Sequence, residues 1–185
     1  MASKSKTEKK DLLDTLGDFT SKENWDNFFT IRPDSFEWYA EWPHLRDPLI
    51  SLLQTLTPPP ASLPVLVPGC GNSRLSEHLY DAGFTSITNI DFSKVVIGDM
   101  LRRNIRSRPL MRWRVMDMTA MQFEDEFFGA VVDKGGLDAL MEPKLGPTLG
   151  NQYLSEVSIF FYLFISMKHR HKHGHWIRHL TCGHM

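Results

Sequence analysis

Leu63-Pro64-Val65-Leu66-Val67-Pro68-Gly69-Cys70-Gly71-Asn72-Ser73 is an apolar run that stops at two glycines separated by one small residue. Such a run reads as a strand covered on both faces, and the glycines supply a tight turn whose bare backbone approaches a ligand closely. From Ser73 to Tyr80, Leu75 and Leu79 fall on one face, so the turn opens a helix whose free N–H groups point back toward it. Upstream, Leu45 to Leu56 reads as a helix that Thr57-Pro58-Pro59-Pro60 ends, because proline lacks the N–H and clashes with the preceding turn. Downstream the alternation repeats. Ser86 to Ile90 is a strand ending at Asp91, and Ser93 caps a helix through Val95, Val96, Met100 and Leu101. A third strand, Met111 to Met116, stops at Asp117, and a fourth, Gly129-Ala130-Val131-Val132, ends at Asp133. Repeated β then α predicts an open, mostly parallel sheet with flanking helices and right-handed crossovers.

The chain has 185 residues, 42% apolar and 23% charged, which suits one domain with one core and excludes disordered, collagen-like and disulfide-scaffold classes. Net charge is −1, unevenly spread: residues 158–185 hold four Lys/Arg, six of the eight His and no acid, leaving residues 1–157 at −5. Bulk charge therefore does not suit the main body to coating nucleic acid. The opening MASKSKTEKK is basic and polar without an apolar stretch behind it, and Cys70 and Cys182 read as reduced thiols, so the expected compartment is the cytoplasm. Thr20-Ser21-Lys22-Glu23 has capping-box spacing ahead of Trp25, Phe28 and Phe29 at helical intervals. Phe36 to Trp42 places four aromatics and two acids in seven residues, either a face packed on the core or an aromatic wall toward a substrate.

The chemistry concentrates at the strand tips. Asp91 lies 20 residues after Gly71 at the end of the next strand, where an acid accepts hydrogen bonds from ribose hydroxyls. In a dinucleotide fingerprint the sixth position falls on Arg74, which disfavours NAD, and no phosphate-loop motif is present. A nucleoside crevice built by Gly69, Gly71 and Asp91 is the expectation.

Val65 to Ser73, Asn89-Ile90-Asp91-Phe92-Ser93, Met116-Asp117-Met118-Thr119 and Val132-Asp133-Lys134-Gly135-Gly136-Leu137-Asp138-Ala139 resemble the successive motifs of class I S-adenosylmethionine-dependent methyltransferases. With Trp25-Asp26-Asn27-Phe28-Phe29 and Phe36-Glu37-Trp38-Tyr39, the chain is similar over residues 20–157 to the enzymes that methylate lysine or the N-terminus of elongation factor 1-alpha. The resemblance implies a Rossmann-like fold, S-adenosylmethionine as cofactor and a protein amine as acceptor. Gly69, Cys70, Gly71 and Asn72 would pass the methionine half, Asp91 and Phe92 the ribose, and Asp117 with Met118 the adenine. Asp133 would lie near the sulfonium. Asp133, Lys134 and Asp138 would be catalytic, Trp38 and Tyr39 would wall the acceptor, and no metal is needed.

Three departures accompany it. Val67 stands where many members carry an acid, and Ser73 where a third glycine is common. After the helix at Thr148 to Val157 the family's later strands have no recognisable counterpart, so the expectation is a partial methyltransferase domain over residues 20–157, between a flexible polar segment at 1–19 and an atypical apolar, then His-rich, segment at 158–185. The ending reads as a truncated or alternatively spliced form, in which Ile159 to Ile165 is able to serve as a replacement strand. That run is too short to cross a bilayer as a helix, which needs about 20 residues. His169, His171, His173 and His175 alternate, but without a cysteine pair or carboxylate support they read as no metal site. Arg102, Arg103, Arg106, Arg108, Arg112 and Arg114 read as solvated surface rather than a nucleic-acid face. The competing functions are a non-catalytic truncated form acting as a binding module and aminopropyl transfer on the same fold.

Overall fold

The computed structural model describes residues 17–56, 58–125, 127–141, 146–168 and 176–181. Helix α1 (Lys22–Ile31) starts at Ser21, whose hydroxyl accepts from Asn24 N, while Thr20 donates to Asp18 instead. The cap is thus one residue later than the capping-box spacing predicts. Helix α2 (Trp42–Leu53) follows, with Pro43 in its first turn, where its missing N–H costs nothing. Then come β1 (Val65–Pro68), α3 (Leu75–Asp81), β2 (Ile87–Asp91), α4 (Lys94–Asn104), β3 (Arg112–Val115) and β4 (Phe128–Lys134). Ser93 caps α4 by accepting from Val96 N, as its position predicts. Short α5 (Gly136–Leu140), α6 (Gly146–Phe160), β5 (Phe161–Lys168) and β6 (Trp176–Thr181) complete the described chain.

The sheet order is β3-β2-β1-β4-β5-β6, parallel except for β6, which runs antiparallel to β5. Sequence neighbours lie to one side of β1 and later strands to the other, so the order reverses between β1 and β4. Ligands of open α/β sheets bind outside the carboxyl ends of the strands at such a reversal. Because side chains alternate across a strand, Val65 and Val67 face one core with Leu49, Leu79 and Met100, whereas Leu66 faces a second with Phe128, Val131, Tyr153 and Val157.

The expectation that the sheet lacks its later strands is corrected. The apolar run after α6 continues as β5, whose Cα register against β4 runs from Phe128 opposite Phe161 to Lys134 opposite Met167. A free β4 edge would leave unpaired backbone groups and apolar surface exposed, and Ile165 is fully buried there. Strand β6 lies in a stretch for which no strand was expected. His169, His171, His173, His175 and Cys182 lie outside the described residues. Among the described residues no cluster of three metal-ligating side chains occurs, and no helix is long and apolar enough to cross a membrane.

The arginine run lies at the surface, as its solvated reading expects: Arg102, Arg103, Arg106, Arg112 and Arg114 are exposed and Arg108 is half-buried, while two of them also form ion pairs between elements. Arg103 pairs with Glu77, whose side chain is 3% exposed, and Arg108 pairs with Asp81 at 2.6 Å, tying α3 to α4 and the turn after it. Arg102, by contrast, pairs with Asp99 at the surface.

Candidate active site

The glycine turn is pinned on two sides. Cys70 N donates to Ile90 O at 3.0 Å, carrying the β1–β2 ladder past Pro68. Gly71 N donates to Asp91 Oδ2 at 3.0 Å. Gly69 and Gly71 hold φ of +54° and +51°, the left-handed region that glycine enters without a Cβ penalty. A Cβ on Gly69 would stand 3.4 Å from Gly136 Cα and 3.5 Å from Met118 Sδ, so the turns after β1, β3 and β4 converge there. Asp91 Oδ1 accepts from Ser93 N at 2.9 Å, and each carboxylate oxygen keeps a further lone pair for a ligand. Burial, only partly offset by those two amides, pushes the Asp91 carboxyl up to about 6.

These tips open on a cavity of about 1190 Å³ at the β1/β4 reversal. Gly69, Cys70, Gly71 and Asn72 line it from one side, Asp91 and Phe92 from the next strand, and Asp117 and Met118 from the loop after β3. Lys134, Asp138, Trp38 and Tyr39 line it from the β4 side and the N-terminal layer. Every sequence-expected site residue except Asp133 therefore meets at one place.

Their individual roles differ more. Asn72 is a clamp: its amide donates to Arg32 O at 3.0 Å and Asp34 O at 2.6 Å, and its oxygen accepts from Phe36 N at 3.3 Å. Asp117 turns Oδ1 back onto Thr119 N and Oγ1, both at 2.8 Å, as acids after strands commonly do. Burial and nearby Asp91 push the Cys70 thiol up, which keeps it a packing group rather than a nucleophile. Lys134 was expected among the catalytic groups, yet its ammonium donates to Glu37 Oε2 at 2.6 Å and Trp38 O at 3.3 Å, with the side chain 3% exposed.

Asp133 stands behind the wall. It is fully buried, and its oxygens accept from Gly136 N at 2.7 Å and Leu137 N at 2.9 Å, the free amides that start α5. The Tyr153 hydroxyl of α6 lies against the same carboxylate. Asp133 thus acts as a buried cap, because the β4 tip turns directly into α5 and those amides each claim one of its oxygens. Burial pushes Asp133 up to about 6, above its ordinary 3.8. With the folded value the higher one, its contribution to stability is fully present below about pH 4 and is lost as pH rises through 6. The fall in unfolding free energy between pH 5 and 7.5 is expected to be smaller in Asp133→Asn than in the wild type. Urea denaturation at both pH values checks this. Comparing the two proteins cancels the opposite contribution of His78, which burial pushes down. Parallel slopes would refute the assignment.

Glu37, given no role by sequence reasoning, is the hub of the N-terminal layer. Its carboxylate accepts from Ser73 Oγ at 2.8 Å, Arg74 N at 2.7 Å and Lys134 Nζ, joining the aromatic stretch to both strand tips. The stretch is a packed face and a cavity wall at once: Trp38 meets Phe36 edge-on at 4.9 Å between ring centroids and Trp25 at 6.1 Å. The available signal was an acid directly flanked by aromatic residues, Phe36 and Trp38.

Residues 65–153 match the methyltransferase domain family. The chain is 40% identical over 174 residues to the eEF1A lysine and N-terminal methyltransferase of Xenopus laevis, covering 90% of this chain and 24% of that protein. It is 42% identical over 147 residues to the eEF1A lysine and N-terminal methyltransferase homolog of Drosophila melanogaster, covering 77% and 21%. The chain thus spans about a quarter of the length of these curated relatives or less. Among solved structures, phosphoethanolamine N-methyltransferase 1 of Haemonchus contortus, in complex with phosphoethanolamine and S-adenosylhomocysteine, superposes with a TM-score of 0.61 over 81% of this chain and 32% of that one. At 13% identity that likeness carries the fold alone. The residues that match the family run from the start of β1 to Tyr153 in α6, and so include all three converging turns.

Proposed function

We propose that this chain is an S-adenosylmethionine-dependent methyltransferase acting on a protein amine, a lysine side chain or chain N-terminus of an elongation factor 1-alpha-like substrate, in the cytoplasm. The observation that carries the reading is the bond from Gly71 N to Asp91 Oδ2, which holds a bare turn and an acid together on one cavity. The identity to relatives named for methylating eEF1A supports the acceptor class.

The donor set fits the cofactor. The space a Cβ on Gly69 would fill is a cradle between β1 and β4 for the methionine half. Asp91 keeps lone pairs for the ribose hydroxyls, and Phe92, Met116 and Met118 are apolar neighbours of Asp117 for an adenine ring. S-adenosylmethionine, held by Gly69, Asp91 and Asp117, would supply an electrophilic methyl on a sulfonium to an acceptor amine that has first released its ammonium proton to solvent, the carbon–sulfur electron pair staying on sulfur. The chain's part is alignment and exclusion of water. Glu37 and Asn72 hold the N-terminal layer over the cavity, and the aromatic rings it presents keep the transfer path dry.

Calorimetric titration with S-adenosylmethionine, followed by mass spectrometry of purified eEF1A incubated with both, tests the reading. Saturable binding and added 14-dalton methyl increments are expected. No binding at millimolar cofactor would overturn it, and binding without methylation would reduce the chain to a binding module.

A further inference from the structure

The cavity has an end distinct from the glycine turn. Ala40 N donates to Trp38 O at 2.7 Å, closing a three-residue turn centred on Tyr39. Tyr39 holds φ +64°, the one non-glycine residue with positive φ among those described. A γ-turn of this hand is rare and strained, and a bulky side chain gains nothing locally from it. The turn is held from outside. Lys134 Nζ donates to the same Trp38 carbonyl at 3.3 Å, and Glu37 fixes Lys134. The Tyr39 hydroxyl hydrogen-bonds with Asp138 of α5. Its ring lies over Gly135, where a Cβ would come within 3.0 Å of Tyr39 Cε2 and where φ is +95°. Two unusual backbone positions on separate elements thus face each other and seat a phenol on a carboxylate at the cavity wall. Strain that the surroundings over-determine marks a position whose geometry serves a function.

We propose that the Tyr39–Asp138 pair is the acceptor-recognising element of the cavity, and that it takes a primary amine as its ammonium ion. The inference rests on the methyltransferase reading and adds to it the residues that select the acceptor. Asp138 supplies the opposite charge, and the phenol, by donating to it, orients the carboxylate while leaving lone pairs for ammonium N–H groups. The faces of Tyr39 and Trp38 attract the same cation. An alcohol of equal size meets the same apolar walls without the charge attraction, so the pair discriminates by charge rather than by shape.

The test uses the full chain, Tyr39→Phe and Asp138→Asn. Calorimetry with S-adenosylmethionine comes first. NMR titration of the S-adenosylhomocysteine-loaded proteins then compares n-butylammonium, a lysine mimic, and glycinamide, an N-terminus mimic, with n-butanol. The wild type is expected to prefer at least one cation over butanol about tenfold, and the preferred cation names the acceptor's source. Asp138→Asn is expected to bring the preference near parity, and Tyr39→Phe to lower it two- to fivefold, with cofactor affinity within about twofold throughout. If Asp138→Asn fails to bind cofactor, Tyr39→Phe decides alone. Undiminished preference in the variants, or none in the wild type, overturns the proposal while leaving the methyltransferase reading in place. Failure of the wild type to bind S-adenosylmethionine overturns both.

Discussion

Asp91→Ala is expected to weaken S-adenosylmethionine binding about a hundredfold, close to 3 kcal/mol. Hydrogen bonds from ribose hydroxyls to a carboxylate contribute about 1.5–3 kcal/mol together. The substitution also removes the acceptor that holds Gly71 N at 3.0 Å, releasing the turn that faces the methionine half. Asp91→Asn separates the two effects: it keeps the shape and one acceptor, and a tenfold loss is expected. Because burial pushes this carboxyl up to about 6, the ionised form that predominates at neutral pH costs folding free energy at this buried site. Asp91→Asn is therefore expected to melt no lower than the wild type even as its affinity falls. For the same reason wild-type affinity is expected to fall as pH drops through about 6, and the Asn variant to lose that dependence. Calorimetry from pH 5 to 8 with a parallel thermal melt reads all of this. An Asp91→Ala protein that binds within threefold of the wild type would remove the ribose assignment.

Glu77→Ala is expected to cost about 3 kcal/mol of folding stability, the lower end of the range for removing one member of a buried ion pair. The carboxylate is 3% exposed and takes Arg103, Arg74 and the Asn104 amide. Removing it takes one partner from the buried Asn104 amide, which keeps Met100 O, and unpairs two guanidiniums that are open enough to reach water, which limits the loss. Those arginines hold Glu77 below the usual carboxylate range against the opposing effect of burial. Its contribution is therefore present above the unfolded value near 4.3 and lost as pH falls through the lower folded one. Urea denaturation at pH 7 and pH 3.5 measures both features: a large deficit in Glu77→Ala at neutral pH that narrows in acid. Equal midpoints at pH 7 would show the network to be surface decoration.

The sheet's first four strands, the helices between them and the meeting of Gly71 with Asp91 were legible because each depends on signals within a few residues. A strand covered on both faces is an apolar run, a cap is a serine ahead of a helix, and an acid at a strand's end needs only the turn beside it. Ser93 and Asp91 stand where their positions predict. The run from Ile159 was legible as a strand able to cover β4, though without alternation to fix its face, whereas β6 was missed because it sits in a His-rich stretch with no strand signature. Thr20 lost its cap to its neighbour because two hydroxyls side by side satisfy one local rule equally.

The sequence by itself determined the alternation of strand and helix, the bare turn after β1 and the acids at the next three strand ends, all consequences of residue type and spacing along one segment. The tertiary structure decided which groups face a ligand and which face the protein. Asp133 and Asp91 stand at the ends of the two parallel strands that flank β1, yet the amides of α5 claim both oxygens of one, while the other borders the cavity. Glu37 reaches Ser73 across 36 residues and Lys134 across 97, distances over which no local pattern carries information. Only chain packing brings such partners within the few ångströms at which a hydrogen bond or a charge acts.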